Sequence, residues 1–116
     1  MRPADQDLSL GDGELIPCVV QDDDSGEVLM LAWVDDEALQ ATRSTGLAHF
    51  HSRSRDELWW KGATSGNTME VRSLCFDCDR DTILMAVRPA GPACHTGARS
   101  CFYRALEGEG LTRLDE

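Results

Sequence analysis

Positive charge is scarce in this chain. Eleven Lys and Arg stand against 21 Asp and Glu, a net charge of −10. A basic surface for nucleic acid is excluded on that ground. An anionic substrate would need local help, from a metal or from a few well-placed cations. No apolar run approaches membrane-spanning length, and no basic segment followed by an apolar stretch opens the chain. The expectation is a soluble, cytoplasmic protein with neither a nucleic-acid nor a membrane partner. Repeats, linkers and low-complexity blocks are also missing, so residues 1–116 read as one domain. Cysteines number five. A disulfide framework would leave one over, and in a reducing compartment such cysteines more often bind metal or take part in catalysis.

Hydrophobic residues make up 41% of the chain, enough to build a core. Leu15 to Gln21 and Val28 to Trp33 read as two strands joined by a turn over Asp22 to Gly26. Pro17 suits an edge strand or the start of a strand. Asp35 or Asp36 can cap a helix through Glu37 to Ala41, with Gly46 placed to end it. Further strands are expected at Leu47–Ser52, Leu58–Lys61, Met69–Asp77 and Thr82–Arg88. Pro89–Ser100 reads as a long loop, Cys101–Leu106 as the strand that closes the sheet, and the last ten residues as frayed. The fold class is α+β, mostly antiparallel, with one main helix.

The chemistry concentrates in Cys75 to Phe102. In extended chain Asp77, Asp79 and Asp81 share one face and crowd three negative charges, which a divalent cation would neutralise. Carboxylate oxygen suits magnesium, calcium or manganese. The bland alternative is a solvated acidic turn. An EF-hand is excluded, since its glycine and glutamate positions hold Thr82 and Arg88. Strand alternation would turn Cys78 to the opposite face. Cys78, Cys94 and Cys101 would make an open, catalytic zinc site, whereas adding Cys75 would close a structural one. Spacing leaves both open, and the closed site would belong to a small zinc-stabilised binding module. Cys18, in an apolar strand, is expected in the core. His95, next to Cys94, is the candidate general acid or base. His49 and His51 alternate on one strand, a weak metal signal and a fair sign of a polar face.

Trp59 to Asn67 form a second cluster. Lysine, hydroxyls and glycine-freed N–H groups suit a phosphate, although the Walker A order is absent and an ordinary turn has the same composition. The zinc-deaminase signature is missing as well.

Taken together, Asp77-Cys78-Asp79-x-Asp81, Gly91-Pro92-Ala93-Cys94-His95-Thr96-Gly97 and Ser100-Cys101-Phe102 resemble the phosphoribosyl-AMP cyclohydrolase family of histidine biosynthesis. Met30-Leu31-Ala32-Trp33, Ser52-Arg53-Ser54, Leu58-Trp59, Lys61-Gly62 and Thr64-Ser65-Gly66-Asn67 fit the same family, and the likeness runs over about residues 14–106. It implies hydrolysis of the N1–C6 bond of the adenine ring in phosphoribosyl-AMP. It also implies an intertwined homodimer, with zinc on Cys94, Cys101 and Cys78 of the partner subunit, and magnesium on Asp77, Asp79 and Asp81. Arg53, Trp59, Lys61, Thr64, Ser65 and Gly66 are expected at the substrate. Cys75 is not a motif position. Ala63 stands where the family usually has glutamate.

Overall fold

The computed structural model describes residues 9–114. Eight strands and one helix follow in the order β1 (Ile16–Asp22), β2 (Val28–Val34), α1 (Asp36–Thr45), β3 (His49–Ser52), β4 (Glu57–Trp60), β5 (Met69–Phe76), β6 (Ile83–Pro89), β7 (Arg104–Glu107) and β8 (Gly110–Arg113). Six strands form one sheet in the order β4-β3-β2-β1-β6-β5. All its pairings are antiparallel except β1 with β6, which run parallel from Cys18 beside Ile83 to Asp22 beside Val87.

Alternation sets the two faces of the sheet. Ile16, Cys18 and Val20 of β1 line up with Val34, Ala32 and Met30 of β2. Ile83, Met85 and Val87 of β6 continue the same buried layer, and Cys18 is fully buried as expected. Pro17 is accommodated in a central strand because the β6 pairing begins only at Cys18, so no ladder partner is lost. The opposite face carries Leu31, Val19, Leu84 and Cys75 in one row across β2, β1, β6 and β5. Leu31 and Leu84 are 46% and 42% exposed, an apolar row left open on the single chain.

The helix closes the buried face at the β2–β4 end, contributing Ala38, Leu39 and Thr42. Asp35 is its N-cap, with the carboxylate accepting from the Ala38 N–H at 2.9 Å. Gly46 ends it in the left-handed conformation at φ 76°, where a side chain would be strained.

Three expectations change. Cys101–Leu106 does not close the sheet. Arg104–Glu107 pairs instead with Gly110–Arg113 as a separate hairpin, turned at Gly108 with φ 61°. The last residues therefore form a strand up to Arg113, while residues 1–8, Asp115 and Glu116 lie outside the described residues. Leu47–Ser52 is strand only from His49, with Leu47 making a lone bridge to Glu70.

Asp22, at the end of β1, is buried and binds the turn that follows. Its Oδ1 accepts the N–H of Asp24 at 2.8 Å and of Ser25 at 3.3 Å. These bonds, the Asp24 N–H foremost, outweigh burial and, with Arg99 nearby, hold its carboxyl below the ordinary value of 3.8. A folded-state pKa lower than the unfolded one adds stability that is complete above the unfolded value and fades as pH falls through the folded value. Asp22→Asn is expected to melt below wild type at neutral pH. The gap should close as pH drops below about 3.8; a gap constant from pH 6 to pH 2 in thermal melts would contradict this.

Candidate functional site

Strand β6 separates the acidic turn from the thiol loop. At its N-terminal end β5 stops at Phe76, and Asp77 to Thr82 form a turn. Asp77 N–H donates to Thr82 O at 3.1 Å, Arg80 N–H donates to Asp77 O at 3.1 Å, and Arg80 sits at φ 63°. The three aspartates therefore do not share a strand face. The turn gathers them, and one ligand oxygen from each lies within 4.8 Å of the others. Asp77 Oδ1 also accepts the N–H groups of Asp81 and Thr82, at 2.9 and 3.2 Å. Burial disfavours the Asp77 charge, but hydrogen bonds led by the Asp81 carboxyl and N–H bring it below the usual range. Asp79 and Asp77 push Asp81 up. Three carboxyls crowded this closely suit a hard divalent cation.

Cys78 lies within this turn, exposed. Its direction follows from the turn and not from strand alternation.

The thiol pair sits at the other end of β6. Cys101 N–H donates to Leu29 O at 2.7 Å, which fixes it beside the start of β2. Cys94 is held by a tight turn, with its N–H on Ala98 O at 3.1 Å and its carbonyl accepting Gly97 N–H at 3.0 Å. The Thr96 hydroxyl donates to Cys94 Sγ at 3.0 Å. That bond and the Thr96 N–H lower the Cys94 thiol, helped by a bond from Cys101 and by the Lys61 charge. Burial and the Cys94 charge raise Cys101. The two thiols are thus shifted in opposite directions, with Cys94 the more acidic of the pair.

Cys78 cannot join this pair within one chain. The seven residues of β6 put the two ends about 15–20 Å apart. Among the described residues the aspartates are the only group of three or more His, Cys, Asp or Glu that could hold a metal. Cys75 faces Leu84 on the open side of the sheet, so the closed four-thiolate site is not assembled in this chain.

The Lys61–Asn67 loop packs directly against the thiol loop. Lys61 Nζ donates to Ala93 O at 2.5 Å, and Ala90 N–H donates to Thr68 O at 2.8 Å. Gly62 has φ 89°, and a Cβ there would lie 2.5 Å from Thr68 N. A Cβ on Gly91 would run into the Asn67 side-chain amide. Thr64, Ser65 and Gly66 are exposed. Gly66 N–H is already spent on Gly62 O at 2.9 Å, so it offers no donor to a phosphate. The Ser65 hydroxyl accepts the Asn67 N–H at 3.1 Å and keeps its own proton to donate.

Arg53 and Trp59 line a groove with Met30, Trp33, His51 and Ser52. The Arg53 guanidinium lies 4.3 Å from the centre of the Trp33 ring, a stacked cation. Trp59 rests on Phe50 with ring centres 5.0 Å apart. His95 is exposed beside Cys94. His49 and His51 turn out structural. His49 Nδ1 meets Leu47 O at 2.8 Å, and His51 Nε2 meets Asp56 Oδ1 at 3.1 Å. His51 Nδ1 lies 3.1 Å from Asp35 Oδ2 but is not aligned for a hydrogen bond with it.

A sequence model of the phosphoribosyl-AMP cyclohydrolase family matches residues 30–103, which carry both loops and the acidic turn. The chain belongs to this family. It is 57% identical over 105 residues to a phosphoribosyl-AMP cyclohydrolase of Haloarcula marismortui, covering 90% of this chain and 88% of that protein. A namesake from Lactiplantibacillus plantarum is 54% identical over 109 residues, covering 94% of this chain and 97% of its own. One from Erythrobacter litoralis is 59% identical over 93 residues, with 80% and 74% covered. The family match stops at Tyr103, just before the β7–β8 hairpin.

Two signals were hidden in the sequence. Arg99 and Asp22, which meet beside the thiol loop, lie 77 positions apart with no local pattern to link them. The closeness of Gly91 to Asn67 is equally invisible. Gly91→Ala is expected to cost about 1–3 kcal/mol, as overpacking does. Asn67→Ala in the same chain should restore most of that loss in a denaturant titration. If the double variant is no more stable than Gly91→Ala, the loops are not packed as described.

Proposed function

We propose that this chain hydrolyses the N1–C6 bond of the adenine ring in phosphoribosyl-AMP, a step of histidine biosynthesis, as a cytoplasmic homodimer. The observation that carries this reading is the neighbouring Cys94 and Cys101 thiols, held at one end of β6 by Thr96 and by Leu29 O, with Cys78 beyond the other end. Two adjacent sulfur donors, Cys94 with its thiol lowered by the Thr96 bonds, fit zinc, which binds the deprotonated form. Cys78 of the partner subunit completes three ligands and leaves a position for water. The exposed row of Leu31, Leu84 and Cys75 gives the single chain an apolar face for a second copy to cover. All five cysteines are free, in keeping with a reducing compartment.

Bound zinc would lower the pKa of its water to about 7 and supply hydroxide at neutral pH, and magnesium on Asp77, Asp79 and Asp81 would offset the acidic field around a phosphorylated substrate. The remaining work falls to side chains. Thr96 favours the charged form of Cys94 through its hydroxyl bond. Lys61 ties the second loop to the backbone at Ala93 and brings a positive charge near both thiols. Thr64 and Ser65 offer hydroxyls to a phosphate, and Arg53, stacked on Trp33, offers a cation. Trp59 forms an apolar wall of the groove. His95 moves the proton: oxygen is added at C6, the bond to N1 breaks, and N1 receives a proton as the ring opens. No ammonia is lost. Ala63 is exposed on the loop and supplies no carboxylate, so His95 carries the proton transfer alone in this scheme.

The test is conversion of phosphoribosyl-AMP with and without a zinc chelator, followed by subunit mixing. Cys78→Ala and Cys94→Ala should each be inactive. Their mixed dimer holds one site missing both thiols and one intact site, so exchange should return part of the activity. No recovery, with exchange confirmed by mass spectrometry, would rule out the shared site.

His95→Gln is expected to lower kcat by roughly 10²–10⁴ with zinc content unchanged. A change confined to KM would take His95 out of the proton transfer.

A further inference from the structure

Cys94 and Cys101 come from the two ends of one loop that is rich in small residues, with Gly91, Ala93, Gly97, Ala98 and Ser100. Such a segment does not hold two sulfurs at a metal-binding separation by itself. A metal that must draw its ligands together loses affinity to the cost of ordering them. What fixes the spacing is therefore a question of anchors outside the loop.

Two backbone anchors are evident. The Ser100 hydroxyl donates to Val28 O at 2.7 Å, and Cys101 N–H donates to Leu29 O at 2.7 Å. Both hold the outgoing end of the loop at the start of β2. The incoming end is tied to the Lys61 loop, through Lys61 Nζ on Ala93 O and Ala90 N–H on Thr68 O at 2.8 Å. Its link to the outgoing end is Arg99, whose carbonyl accepts the N–H of Ala93, the residue before Cys94, at 3.1 Å.

The Arg99 side chain then reaches the β1–β2 hairpin. Its Nη2 donates to Asp22 Oδ2 at 2.5 Å, and its Nε donates to Glu27 Oε1. Asp22 ends β1, and Glu27 directly precedes β2. The two donors of one planar fork thus meet the two sides of a single tight turn, a geometry that lysine cannot reproduce. The Asp22 side chain is only 7% exposed. Losing Arg99 would leave that carboxylate buried without its countercharge, unlike an ordinary surface ion pair.

We propose that Arg99 is a positioning residue for the thiol pair: its side chain clamps the β1–β2 turn while its carbonyl holds Ala93, and together these set the Cys94–Cys101 geometry that receives the metal. This rests on the reading of Cys94 and Cys101 as zinc ligands. Arg99 touches neither thiol, and it acts through the backbone on both sides of them.

The test uses the full chain and measures zinc affinity by competition with a chromogenic chelator, alongside thermal melts of the metal-free protein and kcat and KM. Arg99→Gln should bind zinc about 10–100-fold more weakly, the range for partners that orient metal ligands. Arg99→Lys, which keeps one ion pair, should fall between Arg99→Gln and wild type. Glu27→Gln leaves the Arg99–Asp22 contact in place; it should weaken zinc by a smaller factor and leave the metal-free melting temperature unchanged. KM for substrate should stay near wild type in all three. Wild-type zinc affinity in a folded Arg99→Gln overturns the clamp. If that variant does not fold, wild-type affinity in both Arg99→Lys and Glu27→Gln overturns it equally. A wild-type chain that binds no zinc, or a Cys94→Ala chain that binds it as tightly, overturns instead the reading of the thiols on which the clamp rests.

Discussion

The length of β6 governs what this molecule can do alone. A strand of seven residues is a rigid spacer. It places the aspartate turn and Cys78 at one end, and the Cys94–Cys101 loop at the other. Pairing with β1 on one side and β5 on the other holds β6 inside the sheet and keeps its ends apart. A chain built this way keeps its donors in two separate groups, and the shared site proposed above would need a second copy to bring Cys78 to the thiol pair. The open apolar row of Leu31, Val19, Leu84 and Cys75 lies on the face of the sheet that such a copy would cover.

Charge is distributed with economy. In a chain with a net charge of −10, few cations are present to be placed. Arg99 binds two carboxylates beside the thiol loop, and Lys61 stands on Ala93 O next to the thiols. Arg53 stacks on Trp33. Each lies near a loop or groove that the family motif marks. The acidic turn does the opposite: it gathers three carboxylates within 4.8 Å of one another, and that crowding holds the Asp81 carboxyl above its ordinary range.

Most elements were legible because their signals are local. The hairpin of β1 and β2 follows from two apolar runs and a turn of Asp, Ser and Gly. The helix follows from Asp35 and Gly46, whose roles depend on backbone groups within four residues. Where the reading failed, local composition competed with a longer-range fact. Cys101–Leu106 has strand composition, yet Cys101 is committed to Leu29 O, and Gly108 turns the next residues into a hairpin of their own. Asp77 to Asp81 alternate as a strand would, yet Asp77 folds back on the N–H groups of Asp81 and Thr82. The carboxylates met as expected, through a turn and not through a pleat.

The sequence by itself determined the donor inventory and its grouping: three aspartates at alternate positions, cysteines spaced around a glycine-bearing loop, and a lysine followed by glycine and hydroxyls. Residue chemistry and short spacing suffice for that, since both are properties of neighbouring residues. Only the tertiary structure decided which donors meet. It paired Cys94 with Cys101, kept Cys78 at the far end of β6, set the Lys61 loop against Gly91 and Ala93, and brought Arg99 to Asp22. These contacts depend on the order of strands in the sheet, and strand order is fixed by burial of the whole apolar layer, which no local stretch of sequence encodes.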